Sequence, residues 1–357
     1  MGDRGRTLRA LAGVLLAAPA IVGFTAVPAA AVQQACDAVT NRWEVVDLGA
    51  GWASDINDDG HVVGTRTVSY DRVGAIWHDG VVTDLPALGS GYSAAYGIDA
   101  AGTVVGYSTA ADGAHAVRWT NGQIQDLGTG GGYAGFANAV NGPLVVGYTL
   151  VSGASSADGA SRAVVWRDGG AVRLDLPPAS RAVDVTATGR VAGTYRTPDG
   201  FPSTWTRTDR AFVWRDGVVT DLGTLGGNFS RAQGINDRGQ VVGDSITASG
   251  FGTGFIWSAA TGMRSLPAFD GATRPVDVNN SGVVVGMHSC GSVYGDSYPS
   301  VWTSTTALPQ RLPLPADAST SFSSAAAVND RGEIVGTATV SGDYLPHIML
   351  WRPRAGV

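Results

Sequence analysis

Seven tryptophans close seven copies of one sequence pattern, and this repetition limits the fold more than any other feature. They are Trp77, Trp119, Trp166, Trp214, Trp257, Trp302 and Trp351, spaced by 42, 47, 48, 43, 45 and 49 residues. The fifth copy is the clearest: DLGTLGG from Asp221, SRAQGINDRGQVVGDS from Ser230 to Ser245, then GFIW from Gly254 to Trp257. The other copies keep Asp-Leu, a small-residue stretch, Ile/Val-Asn, a turn glycine, Val-Val-Gly and the closing Trp. A period of about 40–50 residues marks propeller blades and related repeat arrays.

Within the fifth copy, Val218–Leu222, Ser230–Asn236, Gln240–Ser245 and Gly254–Trp257 each read as a short strand. They are rich in β-branched and small residues and bounded by Gly, Asn or Asp. No segment keeps a helical period. Asn236-Asp237-Arg238-Gly239 is a hairpin turn: the Asn side chain accepts backbone N–H groups and Gly supplies the positive φ. Asn57–Gly60, Asp99–Gly102, Asn279–Gly282 and Asn329–Gly332 repeat it, with Thr186 and Gly189 in copy four and Asn141-Gly142-Pro143 in copy three.

One blade therefore comprises strands two, three and four of a copy plus the Asp-Leu strand that follows. The chain opens on a lone Asp-Leu strand, Trp43–Leu48, and stops just after Trp351. The strand missing from the last blade is the one the start of the chain supplies. The expected fold is all-β: a seven-bladed β-propeller of four-stranded antiparallel blades, closed by Trp43–Leu48 pairing in the blade that ends at Trp351. A closed ring leaves no unfinished sheet. An open repeat array would explain the period but not the complementary ends. The repeated tryptophans read as inter-blade packing, and the Val-Val-Gly glycines as places where backbones approach closely.

Residues 1–31 read as a signal peptide: Arg4, Arg6 and Arg9 precede the apolar Ala10–Val27, and Ala29–Ala31 offers a cleavage site. An uncleaved N-terminal anchor is the alternative. Residues 32–42 are then a leader, 43–352 the propeller and 353–357 a tail, in a protein expected outside the cytoplasm and free of the membrane once cleaved. Net charge is −6, and losing three arginines with Asp3 makes it −8. A mildly acidic chain argues against nucleic-acid binding. It contains no lysine, which together with abundant Ala, Gly, Val and Asp suggests a GC-rich bacterial genome. Its two cysteines, Cys36 and Cys290, are candidates for pairing in an oxidising compartment, with two unpaired thiols as the alternative.

The phrases DLGTLGGNFSRAQGINDRGQVVGDS (Asp221–Ser245), DRAFVW (Asp209–Trp214) and HAVRW (His115–Trp119) resemble the extracellular HAF-repeat proteins, a family with kelch- or WD40-like blade repeats. The resemblance extends from about Trp43 to Trp351 and is weaker in copies four, six and seven. The family's His stands in its place only at His115, partly at His347; Arg162 and Arg210 replace it elsewhere. The resemblance implies secretion and a repeated β fold, and it carries no catalytic residues across.

Asp55, Asn57 and Asp59, followed by Gly60, match the opening of a calcium loop but lack its distal Glu; the hairpin turn explains the same residues. The histidines are dispersed, and no other metal, phosphate or nucleophile motif is present. Neither catalytic residues nor a cofactor is expected. Asp55, Asp184 and Asp277 share one repeat column and read as structural. Where strand two begins, the column Trp52, Ala94, Phe136, Arg181, Arg231, Arg274 and Ser324 would ring a channel mouth if that strand is innermost. Arg recognises carboxylate or phosphate, and aromatic faces suit sugar rings. Arg181, Arg231, Arg274, Trp52 and Phe136, with Tyr195 and Trp205 from a loop on the same face, are the candidate ligand-binding residues. The alternative is that these arginines pair with carboxylates of neighbouring blades. The function read from this is a monomeric, non-catalytic binding module for acidic polysaccharide or a cell-surface protein. A glycan hydrolase or lyase at the channel mouth and a structural or adhesive surface protein are the competing readings.

Overall fold

The computed structural model describes residues 34–355 apart from 90, 153–160, 168–169, 198–207, 270 and 291–296. The signal peptide and Trp205 lie outside the described residues. Seven four-stranded antiparallel sheets form the fold. Blade I consists of Trp52–Ile56, Val62–Val68, Asp71–His78 and Val81–Asp84, from the axis outward. The innermost strands of blades II to VII are Ser93–Ile98, Ala134–Asn141, Arg181–Val185, Gly226–Ile235, Thr273–Val278 and Ala318–Val328. Inner strands of adjacent blades contact each other all the way round, VII to I included.

The ring closes as the complementary ends require. Trp43–Ala50 is the outermost strand of blade VII, antiparallel to Pro346–Pro353, with Glu44 opposite Arg352 and Val45 opposite Trp351. His347 Nδ1 lies 2.8 Å from Asp47 Oδ2 across this seam.

Seven apolar clusters fill the interfaces between blades, and each joins a leucine at the end of a blade's outermost strand, preceded by Asp in four of the seven, to the closing tryptophan of the next blade. Leu85 packs with Trp119, Leu174 with Trp214, Leu222 with Trp257, Leu266 with Trp302 and Leu312 with Trp351. Leu127 packs in the cluster of Trp166. At the closing interface Leu48 packs in the cluster of Trp77, so the seam repeats the other six. A buried indole N–H usually finds a partner, and most of these do, Trp166 Nε1 being an exception among the described residues. Trp119 Nε1 donates to Pro86 O at 2.7 Å and Trp302 Nε1 to Pro267 O at 2.8 Å, both in the crossover from the preceding blade.

Every inner strand carries a bulge at the same place, at Ser54, Tyr96, Asn138, Val183, Gln233, Val276 and Ala326, and those of blades V and VII carry a second register shift nearer their start. The bulge explains the glycine of Val-Val-Gly. A Cβ at Gly64, Gly106, Gly147, Gly193, Gly243, Gly286 or Gly336 would come well under 3.0 Å from the carbonyl oxygen of residue 52, 94, 136, 181, 231, 274 or 324 respectively. Only the absence of a side chain lets that carbonyl lie across the second strand.

The turn asparagines link blades as well as closing hairpins. Asn57 Oδ1 accepts from Asp59 N and His61 N, while its Nδ2 donates to Asp99 O in the next blade. Asn236, Asn279 and Asn329 donate in the same way to Asn279 O, Asn329 O and Asn57 O. An Asn offers donor and acceptor together. Asp99 has only acceptors and instead takes the Gly142 N–H of blade III.

Candidate functional site

The two ends of the central channel differ chemically. At the turn end, residues from all seven blades line a cavity of about 190 Å³. Three partly buried carboxylates stand there, each bound within its own blade and to the next. Asp55 accepts from Ile56 N and Ile98 N, Asp184 from Val185 N and Ile235 N, and Asp277 from Val278 N and Val328 N, at 2.7–2.9 Å. These contacts give the Asp column its structural role.

The calcium candidate looks different in three dimensions. Asp55 and Asn57 spend their oxygens on backbone N–H groups, whereas Asp59 is exposed, with Arg331 at 3.8 Å. The three side chains form a turn and an inter-blade staple, not a convergent oxygen set.

Burial pushes the Asp184 carboxyl up to about 7, with the charge of Asp277 adding to it, and raises Asp55 and Asp277 by the same dominant cause. A carboxyl whose folded pKa exceeds its unfolded value of 3.8 binds protons better when folded. Its contribution to stability is full at pH below that value and is lost as the pH rises through about 7. Asp184→Asn removes this titration but leaves one backbone N–H without its acceptor. The variant should therefore melt below wild type by several degrees at pH 5, with the gap narrowing by about 3 °C or more at pH 8. Thermal unfolding at the two pH values checks this; a gap that widens with pH contradicts it.

At the opposite end, where the inner strands begin, aromatic rings and guanidinium groups join into an arc across blades I to IV. Arg72 lies over the Trp52 ring at 5.0 Å. The Tyr96 and Tyr107 rings are 5.8 Å apart, Tyr107 and Phe136 are 5.3 Å apart edge to face, and Phe136 stacks on Tyr148 at 5.0 Å. Arg181 then lies 4.6 Å over Tyr148. None of these side chains is fully buried. Burial raises the Tyr96 and Tyr148 hydroxyls, opposed by Arg72 and Arg181 respectively.

The structure thus joins Phe136 and Arg181 into one run of contacts and places Trp52, under Arg72, at the same level in the adjoining blade. The two other arginines of the column lie beyond it: Arg231 is half-buried, 5.4 Å over its own neighbour Phe229, and Arg274 is exposed opposite Met287. Tyr195 is not a loop residue. It belongs to the strand Val191–Arg196, and its hydroxyl donates to Asp221 Oδ2 at 2.8 Å on the outermost strand of blade IV. Tyr96, Tyr107 and Tyr148 are members of the arc that the sequence reading missed. Tyr107 and Tyr148 share a column that could have been read, the residue following Val-Val-Gly, with Tyr in blades II and III only. Tyr96 is a bulge residue, and bulges leave no sequence mark of their own.

Cys36 and Cys290 are joined by a disulfide, with 5.9 Å between their Cα atoms. Among the described residues, no helix is long and apolar enough to cross a membrane.

No family model and no curated protein matches the chain. Solved structures do. The β-propeller domain of the Trilobed protease from Pyrococcus furiosus superposes with a TM-score of 0.58 at 9% identity, over 85% of this chain and 93% of that one. The acylaminoacyl peptidase of Pyrococcus horikoshii gives 0.55 at 10% identity, over 85% of this chain. The chain spans about half the length of that peptidase, 52% of it. At such identities the likeness extends to the fold alone, and the chain is a seven-bladed β-propeller.

Proposed function

We propose that this chain is a secreted, non-catalytic propeller of the HAF-repeat type that binds an acidic polysaccharide at the end of its channel where the inner strands begin. One observation carries the reading: the run of rings from Tyr96 through Tyr148 to Arg181, with Arg72 over Trp52 in the adjoining blade. Flat aromatic faces accept the apolar face of a sugar ring, and guanidinium groups pair with uronate carboxylates through planar, multi-donor hydrogen bonds. The arc is built on strands, which hold such groups more firmly than loops do. At the turn end, by contrast, the acids are committed to backbone N–H groups.

Binding of polygalacturonate and of neutral cellulose by the wild type, Arg181→Ala and Tyr148→Ala tests this. Affinity for polygalacturonate should fall about 10-fold or more in both variants, and cellulose should bind more weakly than polygalacturonate to the wild type. Unchanged polygalacturonate affinity in both folded variants would remove the site. Shortening of polygalacturonate during the same incubation would instead identify a glycan hydrolase or lyase with its site at the channel mouth.

A further inference from the structure

The disulfide has a third partner that neither the fold nor the arc requires. His288 is buried to 1% exposure, and its Nε2 lies 3.7 Å from Cys290 Sγ and 3.2 Å from the Cys36 carbonyl oxygen. The two sulfurs and an imidazole nitrogen all lie within 4.8 Å of one another. On the far side of the ring, Ser300 Oγ lies 2.6 Å from His288 Nδ1 and donates its own proton to Tyr298 O, also at 2.6 Å. A hydroxyl has one proton to give. With that proton on Tyr298 O, Ser300 Oγ is an acceptor for Nδ1–H, while the Cys36 carbonyl oxygen is an acceptor for Nε2–H; a metal at Nε2 displaces the carbonyl contact and leaves the ring proton on Nδ1, held by Ser300. Zinc-binding histidines are oriented in this way, by an outer hydrogen bond from the nitrogen that does not ligate.

We propose that Cys36, His288 and Cys290 form a redox-gated site for a thiophilic divalent cation such as Zn2+, closed while the disulfide is intact and opened by its reduction. Zinc takes thiolate sulfur at about 2.3 Å and imidazole nitrogen at about 2.0 Å in tetrahedral geometry, which sets sulfur and nitrogen roughly 3.5 Å apart and the two sulfurs roughly 3.8 Å apart. The 3.7 Å between Cys290 Sγ and Nε2 already approaches that value, and Cys36 Sγ lies within 4.8 Å of the same nitrogen. The sulfurs must part and Cys36 Sγ must settle at the sulfur–nitrogen spacing, and the 5.9 Å Cα separation leaves room for this by side-chain rotation.

Cys290 is half-buried and Cys36 fully buried, so an external thiol reaches the bond at Cys290 Sγ. Two reductant thiols break the S–S bond, transfer two electrons and two protons, and leave as their own disulfide. The metal ion then displaces both thiol protons and forms two metal–sulfur bonds, with Nε2 as the third ligand and water in the fourth position. Either state clamps the leader to blade VI. Cys36 sits in a single helical turn at 34–37, and the leader is also fixed to that blade by Thr40 N donating to Arg311 O at 2.9 Å.

Titration of the full chain with Co2+, before and after reduction by a water-soluble phosphine, tests the proposal. The reduced protein should bind one Co2+ with a thiolate-to-cobalt charge-transfer band and the intense visible bands of tetrahedral cobalt, and stoichiometric Zn2+ should abolish them. The oxidised protein should show neither. Cys36→Ser should lose most of the charge-transfer band, and His288→Asn should weaken Co2+ binding about 10-fold or more. Absence of the band in the reduced wild type overturns the proposal without reference to any variant. An identical spectrum and affinity in folded His288→Asn overturns the role of the imidazole.

Discussion

Replacing Gly243 by alanine should destabilise the propeller by about 3 kcal/mol or more, a large loss for the addition of one methyl group. The added Cβ would overlap the Arg231 carbonyl oxygen and crowd the Phe255 ring. That carbonyl precedes the bulge at Gln233, within the pairing of the first two strands of blade V. Overpacking against backbone is costlier than against the end of a flexible side chain, because hydrogen-bonded strands must move apart. Gly252 is the control, since nothing lies within 4 Å of a Cβ built there. Gly252→Ala should change stability by less than about 0.5 kcal/mol. Chemical denaturation of the two variants beside the wild type measures both values. Equal effects would show that the recurring glycine of the repeat does not reflect the bulge.

Much of this architecture is legible in the amino-acid sequence, because the signals that carry it are local and repeated. The Asn-Asp-Arg-Gly turn, the Val-Val-Gly strand and the closing Trp each occupy one place in one blade, and seven copies make each place unambiguous. The role of Trp43–Leu48 follows from counting strands, and the fold bears it out as the outermost strand of blade VII. Strand ends are less legible. The inner strand of the fifth blade starts at Gly226, not Ser230, since glycines in a strand look the same as glycines in a loop.

The candidate site is only half legible, for a different reason. Trp52, Phe136 and Arg181 stand out because they break a column of repeats. Their neighbours Tyr96, Tyr107 and Tyr148 matter because of contacts between blades, such as Tyr148 beneath Arg181, and no single column shows that contact. The pairing of His288 with the cysteines is hidden further, since Cys36 lies 252 residues away from it. The dual use of the turn asparagines is similar. Their part in the hairpin is visible locally, whereas their bond to the next blade depends on closing the ring.

The seam between the first and last strands supports everything else, because the channel, its two ends and the arc exist only in a closed ring. Glu44 and Arg352 are exposed and directly opposite each other across that seam. Antiparallel partners stand about 4.5–5.5 Å apart at Cα, within the roughly 4.4–6.8 Å span of a disulfide. The double variant Glu44→Cys, Arg352→Cys should therefore form a bridge between residues 44 and 352 within a single chain under mild oxidation. Peptide mass spectrometry of the monomer would locate that bridge and should find it in nearly every molecule. A bridge that is absent, or that forms only between two copies of the chain, would contradict the closed ring.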